Sequence, residues 1–130
     1  MATVQDPTTE TIDGTTYGGL KALCERAAQT AFPTGASILR LGYVVGPHDH
    51  TDRWTSWIRR ASRGGEMLAP GQPEMPIQFI DARDVAAFAL HVTEQGTTGT
   101  FNTTGPATRL TWGELFETAK QVAHADTRFT

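Results

Sequence analysis

Only one cysteine, Cys24, occurs among the 130 residues, so no internal disulfide can form and the chain suits a reducing compartment. No apolar run approaches the roughly 20 residues that span a bilayer, and membrane insertion by a helix is not expected. The first residues, Met1 to Pro7, lack a basic stretch followed by an apolar one, so no secretion leader is read and a cytoplasmic protein is expected. Neither sign of charge gathers into a block. Eleven Lys and Arg stand against 14 Asp and Glu, a formal charge of -3, which argues against a nucleic-acid partner. Asn102-Thr103-Thr104 fits the glycosylation acceptor pattern, but with no secretion leader read the pattern is expected to be incidental. Internal repeats and low-complexity segments are missing too.

What the sequence does contain is a succession of short periodic segments. Residues 1–14 are rich in Thr, Asp, Pro and Gly and read as an irregular lead-in that forms no core. From Thr15 or Thr16, as cap, a helix runs to about Phe32 with Leu20, Leu23, Ala27, Ala28 and Ala31 at helical spacing, and Pro33-Thr34-Gly35 ends it. Ala36 to Leu41 is a short apolar run with β character, expected as a buried strand. Arg53 to Ser62 reads as a helix with Trp54, Trp57, Ile58 and Ala61 on one side. Glu66 to Ala69 and Ile77 to Ile80 read as further strands, separated by a breaker-rich loop. Val85 to Val92 is almost wholly apolar and predicts a buried helix capped by Asp81 or Asp84. Thr100 to Thr103 is a strand, and Thr111 with Glu114 has capping-box spacing for a last helix from Trp112 to Ala123. Helices alternating with short strands make this an α/β chain.

The chemistry centres on Tyr17-Gly18-Gly19-Leu20-Lys21. Four residues apart on a helix, a phenol and an ammonium share one face and can address one ligand. A phenol is a poor base near neutrality, and a neighbouring cation favours its phenolate, so such a pair can give and take a proton. An exposed helix face carrying an ordinary Tyr and Lys has the same spacing, and context must separate the two.

Other features admit two readings each. His48-Asp49-His50-Thr51-Asp52 concentrates metal-ligating residue types, but near neighbours seldom converge on one ion without a rigid element to aim them; a substrate-pocket loop is the preferred reading, and no metal is expected. Trp54 and Trp57 have core spacing or could stack on a substrate ring. Arg53, Arg59, Arg60 and Arg63 form a solvated basic face or a clamp for a phosphorylated substrate. Cys24 is expected to pack as a buried helix residue.

Three separated pieces, the Tyr17/Lys21 helix, Leu39-Arg40-Leu41-Gly42-Tyr43-Val44-Val45-Gly46-Pro47, and Gln78-Phe79-Ile80-Asp81-Ala82-Arg83-Asp84-Val85-Ala86, together resemble the extended short-chain dehydrogenase/reductases, the NAD-dependent epimerase/dehydratase group. Gly99 to Pro106 is similar to that family's late strand. The resemblance covers the chain from about Thr15 onward. It implies the C-terminal part of a Rossmann-like, doubly wound parallel sheet with substrate-side elements, residues 15–130 forming a partial domain after the lead-in 1–14.

The resemblance also implies roles. Tyr17 would be the catalytic acid/base, and Lys21 would assist it and bind the cofactor ribose. Leu41 and Gly42 would contact the cofactor, NAD or NADP, while Tyr43, His48, Arg53 and Trp54 would border a small-molecule substrate. Hydride transfer to or from a carbonyl or alcohol carbon is the implied reaction, as in a reductase or a sugar epimerase/dehydratase; relatives often form a homodimer through helices of which the Tyr17/Lys21 helix is one, and the oligomeric state is left open by the sequence. The family's Gly-rich strand-to-helix turn, which cradles the dinucleotide pyrophosphate, is missing from this sequence, as are its upstream catalytic Ser or Thr and the acidic residue for the adenosine ribose. The expectation is therefore a C-terminal portion with an exposed sheet edge, poor dinucleotide binding and a tendency to aggregate, the alternative being a truncated, non-catalytic fragment or binding module.

Overall fold

A computed structural model describes residues 2–130. The chain divides into two compact units, one taking it as far as Arg40 and then Ala89–Phe101, the other made of Leu41–Phe88 and Asn102–Thr130. Among the described residues no helix is long and apolar enough to cross a membrane.

In the first unit, helix α1 (Tyr17–Ala31) is followed by strand β1 (Ser37–Leu41), which pairs with a later strand, Gly99–Thr103. Arg40 forks onto Glu25, Nε to Oε1 at 2.9 Å and Nη2 to Oε2 at 2.7 Å, and so pins β1 to the helix. The buried stripe of α1 is centred on Gly19 and Ala22, one position off the Leu20 and Leu23 stripe expected from spacing; both leucines are only half-buried. The cause is the lead-in, which is irregular but lies against the helix. A Cβ on Gly19 would come within 2.6 Å of the Val4 backbone nitrogen and 2.7 Å of the Val4 Cβ, so only glycine permits the approach. Val4 is half-buried there.

Ala at position 19 would gain about 1 kcal/mol of helix propensity while colliding with backbone. Gly19→Ala is therefore expected to leave global stability within about 1 kcal/mol but to release the arm. Faster amide exchange or proteolysis at residues 3–8 would show it, and an arm as protected as in the parent would contradict it.

The strand β1 is not buried as expected. Its residues are half-buried or exposed, Leu41 being 50% exposed, because among the described residues only one strand pairs with it.

Among the described residues, the buried hydrophobic cluster lies in the second unit. Strand β2 (Val44–Val45), missed in the sequence because it is only two residues long, is followed by helix α2 (Thr55–Ala61), strand β3 (Glu66–Met67), strand β4 (Pro76–Ile77) and strand β5 (Ile80–Asp81). Helix α3 (Ala82–Glu94) and strand β6 (Gly99–Thr103) lead to strand β7 (Leu110–Thr111), helix α4 (Trp112–Ala123) and strand β8 (Arg128–Phe129), the last also unforeseen. β2 pairs in parallel with β5, Val44 opposite Ile80, and β3 in parallel with β8, Met67 opposite Phe129, while β4 and β7 are antiparallel.

The strand expected over Ile77 to Ile80 is broken in the middle. Phe79 exchanges both backbone hydrogen bonds with Gly105, at 2.9 and 3.1 Å, so β4 and β5 serve different partners on either side of it.

Ala61, Met67 and Phe116 are fully buried and are ringed by Trp57, Ala69, Trp112, Ala119 and Phe129. Thr127, also buried, satisfies its hydroxyl by donating to the Ala61 carbonyl. The capping box at α4 is present in full, with Glu114 N–H donating to Thr111 Oγ1 and Thr111 N–H to the Glu114 carboxylate.

At α3, Asp81 rather than Asp84 caps. Its Oδ1 accepts from the Arg83 N–H at 2.8 Å, and its carboxylate also grips the Arg83 guanidinium. The Arg83 side-chain bonds, then the Arg83 N–H, hold the Asp81 carboxyl down at about 2. The helix itself is half-exposed, not buried: Val85, Phe88, Ala89 and Val92 form one packed stripe, whereas Leu90 on the other side is 60% exposed. Apolar composition all round is then not matched by neighbours all round.

Candidate functional site

The start of α1 is set by Asp13, where a threonine cap was expected. Its backbone carbonyl accepts the Tyr17 N–H at 3.0 Å, and its Oδ1 accepts the N–H groups of Thr15 and Thr16 at 2.8 and 3.1 Å and the Thr15 hydroxyl at 2.7 Å. Those bonds, led by the Thr15 hydroxyl, hold the Asp13 carboxyl below its ordinary range. Thr16 occupies the cap position but turns its hydroxyl back to the Thr11 carbonyl at 2.7 Å.

This fixed first turn carries Tyr17, 58% exposed, and sends Lys21 out on the same face one turn later. Among the described residues, neither the Tyr17 hydroxyl nor the Lys21 ammonium has a hydrogen-bond or ion-pair partner, although Lys21 adds to the field that lowers the Glu25 carboxyl behind the larger effect of Arg40. Cys24 continues the same exposed face, seven residues from Tyr17, and is not buried as expected.

The second group of candidates lies in the other unit. Leu41 is half-exposed, and Gly42 donates its N–H to the Thr103 carbonyl at 3.0 Å. A side chain on Gly42 would strike Thr104, whose Oγ1 lies 2.6 Å from an ideal Cβ, so the glycine serves a close approach of the chain to itself. Tyr43 follows, its carbonyl accepting from Ile80 N–H at 2.9 Å.

Tyr43, Arg53 and Trp54 form one cluster. The Arg53 guanidinium lies 5.2 Å from the Tyr43 ring centre, the Tyr43 and Trp54 rings meet edge-on at 6.1 Å, and Trp54 packs on Phe79 at 4.2 Å. Phe79 was read as a strand residue and not as part of a site; its alternation with Ile77 and Ile80 hid it.

Arg53 is aimed by a relay within the loop. Its Nε donates to Thr51 Oγ1 at 3.0 Å, and Thr51 in turn donates its hydroxyl and its N–H to Asp49 Oδ1. Thr51 lowers the Asp49 carboxyl, first through its hydroxyl and then through its N–H, with Arg53 and His50 adding a smaller charge effect.

His48 and Asp52 both adopt left-handed backbone, φ 68° and 53°, which folds this loop tightly; His48 is exposed at its edge. Among the described residues no three His, Cys, Asp or Glu gather as a metal site.

Trp57 turns to Phe116 and Trp112 and is a core residue. Arg60, expected on a solvated or substrate-clamping face, instead donates to the carbonyls of Gly64 and Glu66 at the end of α2.

The structure is similar to two solved chains. One is a dTDP-4-dehydrorhamnose reductase from Clostridium acetobutylicum, 18% identical with a TM-score of 0.69, where 99% of this chain and 45% of that one are covered. The other is the protein RMD from Pseudomonas aeruginosa, solved with NADPH, 15% identical with a TM-score of 0.69, covering 98% of this chain and 50% of that one. At such identities the likeness establishes the fold, a Rossmann-like α/β arrangement, and this chain spans about half the length of either protein. No curated protein matches the sequence. The family model for NAD dependent epimerase/dehydratase matches residues 2–103, most of the chain, and the chain belongs to that family.

Proposed function

We propose that this chain supplies the proton-handling and substrate-side part of an NAD(P)-dependent oxidoreductase that acts on a carbonyl or alcohol of a small molecule. The observation that carries the reading is the exposed face of α1, where Tyr17 and Lys21 stand one turn apart with no protein partner among the described residues. Family membership and a neighbour solved with NADPH support a nicotinamide cofactor.

In this reading the cofactor, when bound, supplies hydride chemistry, and every other duty falls to side chains. The Tyr17 hydroxyl gives a proton to the substrate oxygen during reduction and takes it back during oxidation. Lys21 provides the positive charge that favours a developing phenolate, and its ammonium would help to hold the cofactor ribose. Leu41 and Gly42 would contact the cofactor, as the family likeness implies. Tyr43, Trp54 and Arg53 form the substrate wall, with the Asp49/Thr51 relay holding the guanidinium in place. His48 borders that wall.

No Gly-rich strand-to-helix turn occurs in the sequence to cradle a pyrophosphate. Calorimetric titration of the purified chain with NAD(H) or NADP(H) is therefore expected to show no micromolar binding, and a fusion that adds a dinucleotide-binding βαβ half is expected to restore it together with consumption of NAD(P)H against carbonyl substrates. Micromolar binding by the chain alone would remove the division of labour. A fusion that binds the dinucleotide but never consumes it would favour a non-catalytic binding module.

A further inference from the structure

We propose a separate small-molecule site in the second unit, between α4 and β8, whose ligand is a single-ring aromatic carboxylate. It shares no residue with the catalytic and substrate side chains proposed above. A cavity of about 350 Å³ is walled there by Trp112 and Phe116 of α4, by Phe129 of β8 and by Ala69 and Pro73 of the loop after β3. Ligand pockets run from about 300 to 1,000 Å³, so this one suits a ring with a short chain and is too small for a dinucleotide.

The walls are held by backbone bonds, so the cavity is preformed. Gly113 N–H donates to the Pro73 carbonyl at 2.9 Å and Trp112 N–H to the Met75 carbonyl at 3.1 Å, which clasps the loop to the first turn of α4. Opposite, Ala69 N–H donates to the Thr130 carbonyl at 2.9 Å and Thr130 N–H to the Met67 carbonyl at 3.0 Å, which fixes the end of β8. A ligand entering such a site spends little on ordering it.

The floor suits a flat hydrocarbon. Phe116 is 1% exposed and stacks on Trp112 and Phe129 with ring centres 5.3 and 5.2 Å away, so an aromatic ring would extend a stack already built. Thr127 is the polar lining residue at that depth, and its hydroxyl proton is already given to the Ala61 carbonyl. The rim suits an anion. Lys120 and Arg128 line the cavity against one carboxylate, that of Glu117. Glu117 lies 3.7 Å from Lys120 and is half-exposed, a contact of little worth, and Arg128 takes part in no ion pair among the described residues. The balance is one net positive charge beside an aromatic floor. A monoanion matches it, whereas a phosphoryl dianion would exceed it.

The test titrates the ¹⁵N-labelled chain with phenylacetate and, separately, with phenylethanol, which keeps the ring and lacks the charge, at constant ionic strength. Saturable shifts of the Trp112 indole N–H and of the Gly113 and Arg128 amides are expected from both, with the acid binding about tenfold more tightly. Replacing both cations, Lys120→Gln with Arg128→Gln, is expected to bring the acid down to the affinity of the alcohol and to leave the alcohol's unchanged. Shifts that never saturate, or that fall outside this cavity, overturn the site. An alcohol that binds the parent as tightly as the acid overturns the anionic ligand class, and so does a double variant that keeps the parent's preference. If that variant fails to fold, the acid-to-alcohol ratio of the parent decides alone.

Discussion

Tyr17→Phe, in a fusion that joins this chain to a dinucleotide-binding half, is expected to lower turnover by about 10²–10⁴-fold and to leave dinucleotide affinity within about twofold of the parent. The substitution deletes one oxygen from a side chain that is 58% exposed and, among the described residues, has no hydrogen-bond partner, so no buried group is orphaned. What disappears is a proton donor at the substrate oxygen. An interaction made only in the transition state lowers kcat and kcat/KM together, and that equal fall is the signature to look for. Lys21→Ala should behave differently, since the ammonium is assigned to the cofactor as well as to the phenol, and weaker dinucleotide binding should accompany the lost turnover. Retained turnover in Tyr17→Phe would take Tyr17 out of the mechanism, and with it the reading of α1 as the catalytic element.

The helices were more legible in the sequence than the strands, for a physical reason. α1, α2, α3 and α4 each carry several turns of 3.6-residue spacing or a local cap, such as Thr111 with Glu114, and these signals are contained within the segment itself. Among the described residues, six of the eight strands are only two residues long, too short to alternate, and exist because a distant segment pairs with them. β8 is the clearest case: Arg128 and Phe129 carry no strand signal, and their pairing with Glu66 and Met67 is purely tertiary.

The candidate site divides along the same line. The Tyr17/Lys21 spacing is local and was visible. That Arg53 would lie over Tyr43, with Trp54 seated on Phe79, depends on bringing together positions up to 36 apart in sequence, and only chain folding could show it. Local competition also misled. Thr16 had the right residue type for a cap, but Asp13, four residues before Tyr17, offered an acceptor oxygen to both threonines and took the role. The Tyr17-to-Lys21 spacing says nothing of Gly19, which admits the lead-in backbone.

Phe116→Ala is expected to cost about 3–5 kcal/mol, a large share of the roughly 5–15 kcal/mol that a domain of ordinary stability possesses. Phe116 is 1% exposed and sits where every wall of the second unit's core meets. It stacks on Trp112 at 5.3 Å and on Phe129 at 5.2 Å, and Trp57 lies 5.9 Å away, so α2, α4 and β8 all touch it. Among the described residues, Ala61 and Met67 are the buried apolar partners in its cluster, and neither can move to fill the space: Ala61 carries only a methyl group, and Met67 is held by the β3 and β8 pairing. A cavity left by a ring removed from so small a cluster will collapse only in part, which places the cost toward the upper end of the range. The consequence reaches the proposed substrate wall, because Trp54 is the N-cap residue of α2, which is anchored to the core through Trp57 and Ala61. Loss of Phe116 should therefore lower the thermal midpoint sharply and shift the emission of Trp57 and Trp112 toward that of solvated indole. A variant that melts within a degree or two of the parent with unchanged emission would mean that this cluster is not what holds the second unit together.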